Sequence, residues 1–170
     1  MNLKRHLSIG AAAAAAAALV VVVVGSAWAF GASATTAART PGGTLVIHAA
    51  TAQENFVDAD PAGFGLGDVV ALHEHLTNAG GKPAGHDGVA CTVTLAASDH
   101  AQFECLATLH LKGGDLTVQG LFTEPFRQGH HPTAVMAVTG GTGAYAGATG
   151  TVAVHEVSEE ETDYTFHLAS

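Results

Sequence analysis

The segment CTVTLAASDHAQFEC, residues 91–105, carries two features that predict the same local structure. Apolar and polar residues alternate on both sides of an Ala97-Ser98-Asp99 turn, a pattern typical of two β-strands joined as a hairpin. With Ser98 at the centre, the pairs on the apolar side are Cys91 with Cys105, Val93 with Phe103 and Leu95 with Ala101. The polar side then carries Thr92, Thr94, Gln102 and Glu104.

Cys91 and Cys105 are the two cysteines of the chain. The leader described below directs the chain to an oxidising compartment, so a disulfide between them is the expected state. The alternation and the cysteine pairing select one register, which neither would fix alone. Two free thiols buried as small apolar groups are the alternative.

Eight short β-type runs follow one another from residue 44 onward, separated by Gly, Asn, Asp or Pro. No segment keeps a helical period, and this regular spacing predicts an all-β sandwich or barrel. An eight-stranded barrel has an interior that side chains fill or that holds one small ligand. The runs are Thr44 to Ala52, Asp68 to Leu76, Val89 to Leu95, Phe103 to Lys112, Asp115 to Phe122, Thr133 to Thr139, Thr151 to Val157 and Thr162 to Leu168.

The first 34 residues predict a secretory signal peptide. Lys4 and Arg5 precede an apolar run, and small residues offer cleavage at Ala27-Trp28-Ala29 or Ala32-Ser33-Ala34. An uncleaved membrane anchor is the alternative, because about 20 apolar residues can span a bilayer. Both interpretations place the rest of the chain outside the cytoplasm, and cleavage predicts a secreted protein with no stable membrane insertion.

Without the leader the chain is strongly acidic. Four basic residues stand against fifteen acidic ones, which gives a net charge of −11. Binding to nucleic acid or to an anionic membrane needs clustered Lys and Arg, so the composition argues against both partners. Residues 35–43 are expected to form a flexible lead-in, and residues 44–170 are long enough for one domain with a buried core.

A glycine-rich segment, VTGGTGAYAG at residues 138–147, contains a G-x-G-x-x-A match at Gly141, Gly143 and Ala146. The match is half of a dinucleotide fingerprint. However, only 27 residues follow Gly143, and they predict two strands instead of a helix and further sheet. The glycines are therefore expected to form a compact turn between strands, and no nucleotide cofactor is predicted.

The second predicted strand carries two candidates for chemistry. His73 and His75 share one face, which is half of a zinc or copper site. The sequence offers no third ligand at a recognisable spacing, so no metal site is predicted. Glu74 lies on the opposite face with Leu72, inside the barrel, where a carboxyl group can act as an acid or a base. A position in water at the barrel mouth is the alternative.

Several short motifs occur in a fixed order: Gly88-Val-Ala-Cys91, Phe103-Glu104, Val118-Gln119-Gly120, the glycine-rich segment and Tyr164-Thr-Phe-His-Leu168. In this order and spacing the chain resembles the allene oxide cyclase barrel-like family, from about Phe56 to the C-terminus. Dirigent proteins share the glycine turn and the barrel. The signal peptide and the cysteine pair make the chain most similar to a secreted bacterial branch of the family.

The resemblance implies one eight-stranded antiparallel barrel, often trimeric, with an apolar cavity that folds a reactive lipid or phenolic intermediate without a cofactor. Such catalysis acts by orientation and by exclusion of water. The plant cyclases have an asparagine near the epoxide where this chain has Glu74, which argues against allene oxide cyclisation itself. Cavity positions carry over to Val70, Leu72, Glu74, Cys91, Phe103 and Phe122.

Three functions remain open at this point. The first is a secreted barrel that binds an apolar or phenolic small molecule and steers its cyclisation or coupling, without cofactor or metal. Its predicted ligand-binding residues are Val70, Leu72, Phe103 and Phe122, with Glu74 as the acid or base. The second is a non-enzymatic barrel, filled by side chains, whose acidic surface contacts other molecules. The third is a true allene oxide cyclase-type isomerase. A homotrimer is expected for a member of this family.

Overall fold

A computed structural model of the protein describes residues 42–59, 63–126 and 133–169. The predicted leader with both cleavage sites lies outside the described residues. Within the described ranges, no helix is long and apolar enough to cross a membrane.

Eight antiparallel strands pair in chain order, and the first strand pairs with the last to close one barrel. The all-β, eight-stranded prediction is therefore confirmed. One short 3-10 turn, Gly143–Tyr145, lies between the sixth and seventh strands. The strands are β1 (Gly43–Val57), β2 (Val69–Asn78), β3 (Pro83–Ala96), β4 (His100–Leu111), β5 (Gly114–Pro125), β6 (Thr133–Gly141), β7 (Gly150–Glu156) and β8 (Glu161–Leu168).

The register of the β3–β4 hairpin agrees with the prediction at its disulfide-bonded end and departs from it near the turn. Cys91 pairs with Cys105 and the two form a disulfide. A bulge between Val93 and Leu95 then adds one residue to β3, so Leu95 faces Gln102 and not Ala101. Because an extra residue reverses which side of the sheet a side chain faces, Leu95 is 45% exposed instead of buried.

Strand β3 begins at Pro83, six residues before its predicted start at Val89. Pro83, Gly85 and Gly88 are typical turn residues, but this segment pairs with both β2 and β4. A Cβ atom at Gly85 would overlap the carbonyl oxygen of His110, so glycine is needed where the two strands approach closely. The added length brings His86 and Asp87 into the sheet.

One half of the barrel interior is a packed apolar core at the end where β1 begins and β8 ends. Large apolar side chains from all but one of the strands fill this half, and each stabilises the fold by roughly 1.5 to 3 kcal/mol. The glycine-rich turn closes the same end, with Gly143 at φ +57° and Gly147 at φ +75°. The core residues there include Ile47, Leu76, Leu109, Leu116, Val138, Val152 and Phe166.

Candidate functional site

Three buried polar side chains form a layer midway along the barrel: Glu74 on β2, Asp87 on β3 and Tyr164 on β8. Their exposed fractions are 1%, 1% and 4%. Glu74 and Asp87 are direct cross-strand partners. The Tyr164 hydroxyl donates a hydrogen bond to Glu74 Oε2 at 3.0 Å, and the Thr51 hydroxyl donates to Oε1 at 3.4 Å. Glu74 therefore lies inside the barrel and not in water at its mouth.

Asp87 is the member of this layer that lacks hydrogen bonds to its carboxyl oxygens, since neither oxygen has a partner among the described residues. Burial, and then repulsion from the neighbouring Glu74, raise the pKa of Asp87 to about 8. Two carboxyl groups this close cannot both ionise easily, so Asp87 retains its proton at neutral pH and can share it with Glu74.

Tyr164 remains a hydrogen-bond donor across the physiological pH range. Burial raises the pKa of its hydroxyl well above the ordinary value, and the carboxyl groups of Glu74 and Asp87 add to this shift. Glu74 is therefore held by hydroxyl groups while it faces a second carboxyl that carries a proton. This arrangement is suited to moving one proton at a fixed position.

An apolar cavity of about 90 Å³ lies beside the polar layer, toward the end of the barrel where β1 ends. Glu74 and Tyr164 are among the polar residues of its lining, and the Cys91–Cys105 disulfide forms part of one wall. A water molecule takes about 30 Å³, so the cavity holds a ring-sized apolar group. The other lining residues are Leu72, Val89, Ala107, Phe122, Ala134, Met136, Val154, Glu156 and Thr162.

A wider surface opening of about 380 Å³ adjoins the cavity. The two spaces share the side chains of Leu72, Glu74, Glu156 and Thr162. Burial, and then repulsion from Glu124, raise the pKa of Glu156 to about 7. The two carboxyl groups that both spaces share are therefore those of Glu74 and Glu156.

Five phenylalanine rings connect the cavity wall with the surface. Phe122 lines the cavity, and its ring centre lies 5.7 Å from that of Phe103. Phe103 contacts Phe64 at 6.3 Å, and Phe64 contacts Phe56 at 6.4 Å and Phe126 at 5.8 Å. Phe64 is 46% exposed. Rings at these distances give flat apolar faces on which an aromatic molecule can stack.

Asp68 fixes the segment that carries Phe64. The Asp68 side chain is fully buried, and its two oxygens accept hydrogen bonds from the backbone N–H groups of Ala59 at 2.9 Å and Gly65 at 2.7 Å. The Asp68 carbonyl also accepts a bond from the N–H of Val93 on β3. This carboxylate therefore ties the connection between β1 and β2 to the sheet next to the opening.

The structure brings the residues chosen from sequence together at one end of the barrel. Leu72, Glu74 and Phe122 line the cavity. Val70 lines the adjoining opening, and Phe103 stacks against Phe122. Their part in binding a ligand remains a prediction.

Sequence reasoning did not select Asp87, Tyr164 or Glu156 as site residues. Asp87 lies in Gly85-His-Asp-Gly88, a sequence typical of a turn. The local sequence therefore does not indicate that Asp87 lies on a strand opposite Glu74. Tyr164, Phe166 and Leu168 alternate with polar residues along β8, and this pattern is typical of an inward position for Tyr164. Its contact with Glu74 joins residues 90 positions apart and follows only from closure of the barrel.

Comparison with known proteins identifies the same architecture. Residues 43–168 match the family described as allene oxide cyclase barrel like domain. A comparison of the sequence with curated proteins found no match. Among solved structures, one described as pyocyanin demethylase is 29% identical with a TM-score of 0.65, and the match covers 75% of this chain and all of that chain.

Two further solved structures share the fold at lower sequence identity. The first, a pterocarpan synthase dirigent protein, is 19% identical with a TM-score of 0.55, over 75% of this chain and 86% of its own. The second, an exo-specific intermolecular Diels-Alderase, is 13% identical with a TM-score of 0.57, over 75% of this chain and 98% of its own.

Proposed function

Because the chain belongs to the allene oxide cyclase barrel-like family, we propose that its barrel binds a small apolar or phenolic molecule and steers the cyclisation or coupling of that molecule. The observation that carries the proposal is the buried carboxyl of Glu74 at the surface of an apolar cavity. The names of the demethylase, the dirigent synthase and the Diels-Alderase all concern small organic molecules, which supports a ligand of this class. The predicted leader places this activity outside the cell.

The size of the cavity determines how such a ligand fits. Ligand pockets usually measure about 300 to 1,000 Å³, so the interior cavity of about 90 Å³ takes only part of a molecule. One ring or short apolar group is expected beside Glu74, with the remainder in the opening of about 380 Å³.

Glu74 is the proposed acid or base. Tyr164 and Thr51 hold its carboxyl in one orientation, and the carboxyl of Asp87 faces it from the neighbouring strand. A ligand O–H or C–H at the cavity surface can give its proton to Glu74, after which the reacting ends of the ligand are held together away from water. Orientation and one proton transfer suffice for this chemistry, so the proposal includes no cofactor.

Filling the cavity is expected to remove ligand binding. We expect Leu72→Trp to weaken the binding of pyocyanin or a simple phenol at least tenfold, because the larger side chain occupies the space beside Glu74. Isothermal titration calorimetry measures the change. Leu106→Trp is the matched control, since Leu106 is 53% exposed on the outer face. Equal affinity of Leu72→Trp and the unchanged protein would show that the ligand binds elsewhere, and absence of binding by the unchanged protein would refute the proposed function.

The role of Glu74 can be read from the titration of a bound nitrophenol. The carboxylate of Glu74 favours the neutral phenol, so Glu74→Gln is expected to lower the pKa of the bound phenol by about one unit, as measured by absorbance. The matched variant is Glu156→Gln, in which the carboxyl at the opening is replaced. If only Glu156→Gln lowers the phenol pKa, the proton partner is Glu156 and the assignment to Glu74 is wrong.

A further inference from the structure

Four histidines lie close together on the outer face of three neighbouring strands: His73 and His75 on β2, His86 on β3 and His110 on β4. His75 pairs with His86, and His86 pairs with His110, in the strand registers. Their sequence neighbours Glu74, Asp87 and Leu109 are buried, so alternation directs the four imidazoles outward. We refer to these four residues as the histidine row.

The rings of the histidine row contact one another in a continuous series. The ring centres of His73 and His75 lie 5.8 Å apart, those of His73 and His86 5.5 Å apart, and those of His86 and His110 5.0 Å apart. His86 is thus the central ring, with His73 on one side and His110 on the other. The sequence alone indicates only the pair His73 and His75. His86 and His110 come close to this pair through the strand registers of the sheet.

These spacings match those of imidazoles that share a metal ion. A metal–nitrogen bond is about 2.0 Å long and a ring centre lies about 1.1 Å beyond the nitrogen, so two ring centres at a tetrahedral metal lie about 5 Å apart. The separation of His86 and His110 equals this value, and that of His73 and His86 exceeds it by about half an ångström. Among the residues that the structure describes, no three His, Cys, Asp or Glu side chains are grouped so that they could hold a metal ion without rearrangement. Rotation of these side chains, which occurs in picoseconds to nanoseconds at exposed positions, is therefore required for three ring nitrogens to meet at one metal ion.

The clearest sign of a ligand site is the support behind His110. Nδ1 of His110 lies 2.7 Å from Asp115 Oδ1. Because a carboxylate oxygen can only accept, Nδ1–H of His110 donates this hydrogen bond, and Nε2 is the ring nitrogen left for a metal ion. Metal-binding histidines are commonly oriented by a carboxylate in this way.

Thr142, in turn, fixes Asp115. The Thr142 hydroxyl donates to Asp115 Oδ2 at 3.1 Å and accepts a bond from the Asp115 N–H at 2.9 Å. Thr142 belongs to the glycine-rich turn, where Gly143 has φ +57° and a Cβ would overlap the carbonyl oxygen of Gly113. The turn thus has a use unrelated to nucleotides, since it positions the residue that orients Asp115 and His110.

We propose that the histidine row is a site for a divalent transition metal, with His86 and His110 as ligands and His73 as the third. Imidazole ligands suit Zn²⁺, Ni²⁺ and Cu²⁺, and the usual order of stability makes Cu²⁺ the tightest of these. The site lies on the outer face of the barrel, so it is separate from the cavity and from the proposed small-molecule function. Asp115 is a positioning residue that acts through His110.

The test is a titration of the full, secreted protein with Cu²⁺, without a histidine tag, by isothermal calorimetry and electron paramagnetic resonance. One site with nitrogen hyperfine structure is expected. His86→Gln and His110→Gln should each weaken binding at least tenfold, and Asp115→Asn by about tenfold through loss of ring orientation. His100→Gln is the matched control, because His100 also bonds an aspartate, Asp99, but lies at the opposite end of β4.

The outcomes distinguish one specific metal site from nonspecific binding of Cu²⁺ to surface histidines. All variants should keep their unfolding temperature in metal-free buffer, since the row lies on the outer face. Wild-type affinity in the double variant His86→Gln/His110→Gln would overturn the proposal. So would an equal loss in His100→Gln and His86→Gln. An unchanged affinity in Asp115→Asn would refute the positioning role alone.

Discussion

Replacing Asp87 with asparagine is expected to stabilise the barrel at neutral pH. The pKa of Asp87 is about 8 in the barrel against an ordinary value of 3.8. Between about pH 4 and pH 8 the folded chain therefore holds a proton that the unfolded chain has released. The free energy of unfolding must fall across this window as the pH rises, by up to about 1.4 kcal/mol per pH unit. Asparagine carries no charge and its amide can donate to Glu74, so Asp87→Asn should remove this slope.

Urea unfolding at pH 4, 6 and 8 measures the effect. We expect Asp87→Asn to match the unchanged protein near pH 4 and to exceed it increasingly toward pH 8. A smaller slope of the same sign should remain up to about pH 7, because the pKa of Glu156 is also raised.

The matched control is Asp68→Asn, which makes the same chemical change at another buried carboxyl. Asp68 accepts two backbone N–H bonds, so its replacement should destabilise the barrel by about 1 to 3 kcal/mol at neutral pH. If Asp87→Asn lost stability at pH 7 as well, or kept the full pH slope, Asp87 would not be protonated in the barrel.

Removal of the Cys91–Cys105 disulfide has the second largest expected effect. The bond closes a loop with a sequence separation of 14, and loss of a cross-link over a loop of this size costs about 3 kcal/mol. The double variant Cys91→Ala/Cys105→Ala should therefore unfold at lower urea concentration, with a Tm lower by roughly 10 °C for a domain of this size.

Reduction of the unchanged protein provides the control for this variant. It breaks the same bond without changing the volume of the side chains that line the cavity. Similar losses in both experiments would assign the effect to the cross-link. A midpoint that stays the same after complete reduction would show that strand pairing alone holds the hairpin.

Local sequence patterns were sufficient to predict most of the fold. Alternation located all eight strands, because one side of each strand faces the interior and the other faces solvent. The two cysteines fixed the register of one hairpin at Cys91 and Cys105. The bulge after Val93 was not predicted, since Thr94, Leu95 and Ala96 continue an acceptable alternation. The first half of β3 was not predicted either. Gly85 and Gly88 are typical turn residues, and they are extended here because β2 and β4 pair with this segment.

The candidate site could be predicted only in part. The alternation of β2 placed Glu74 inside, and the family resemblance supplied Leu72, Cys91 and Phe122 of the apolar lining. Tyr164 comes from a strand 90 residues away in the chain, and Asp87 lies in the part of β3 that the sequence did not predict, so no local pattern connects Glu74 with either. The same limit applies to the histidine row, whose third and fourth members depend on the registers of β3 and β4. The homotrimer and the secreted location remain predictions.

Closure of the barrel by β1 and β8 has a consequence for biosynthesis. Gly43 pairs with Leu168, so the first strand of the barrel to leave the ribosome bonds to the last strand of the barrel. All other strand pairs are neighbours along the chain and can form during translation. Until the final strand emerges, β1 presents a free edge of unpaired N–H and C=O groups, which is the kind of surface on which other chains aggregate. A nascent chain of this protein is therefore most vulnerable in the period before β8 is available to pair with β1.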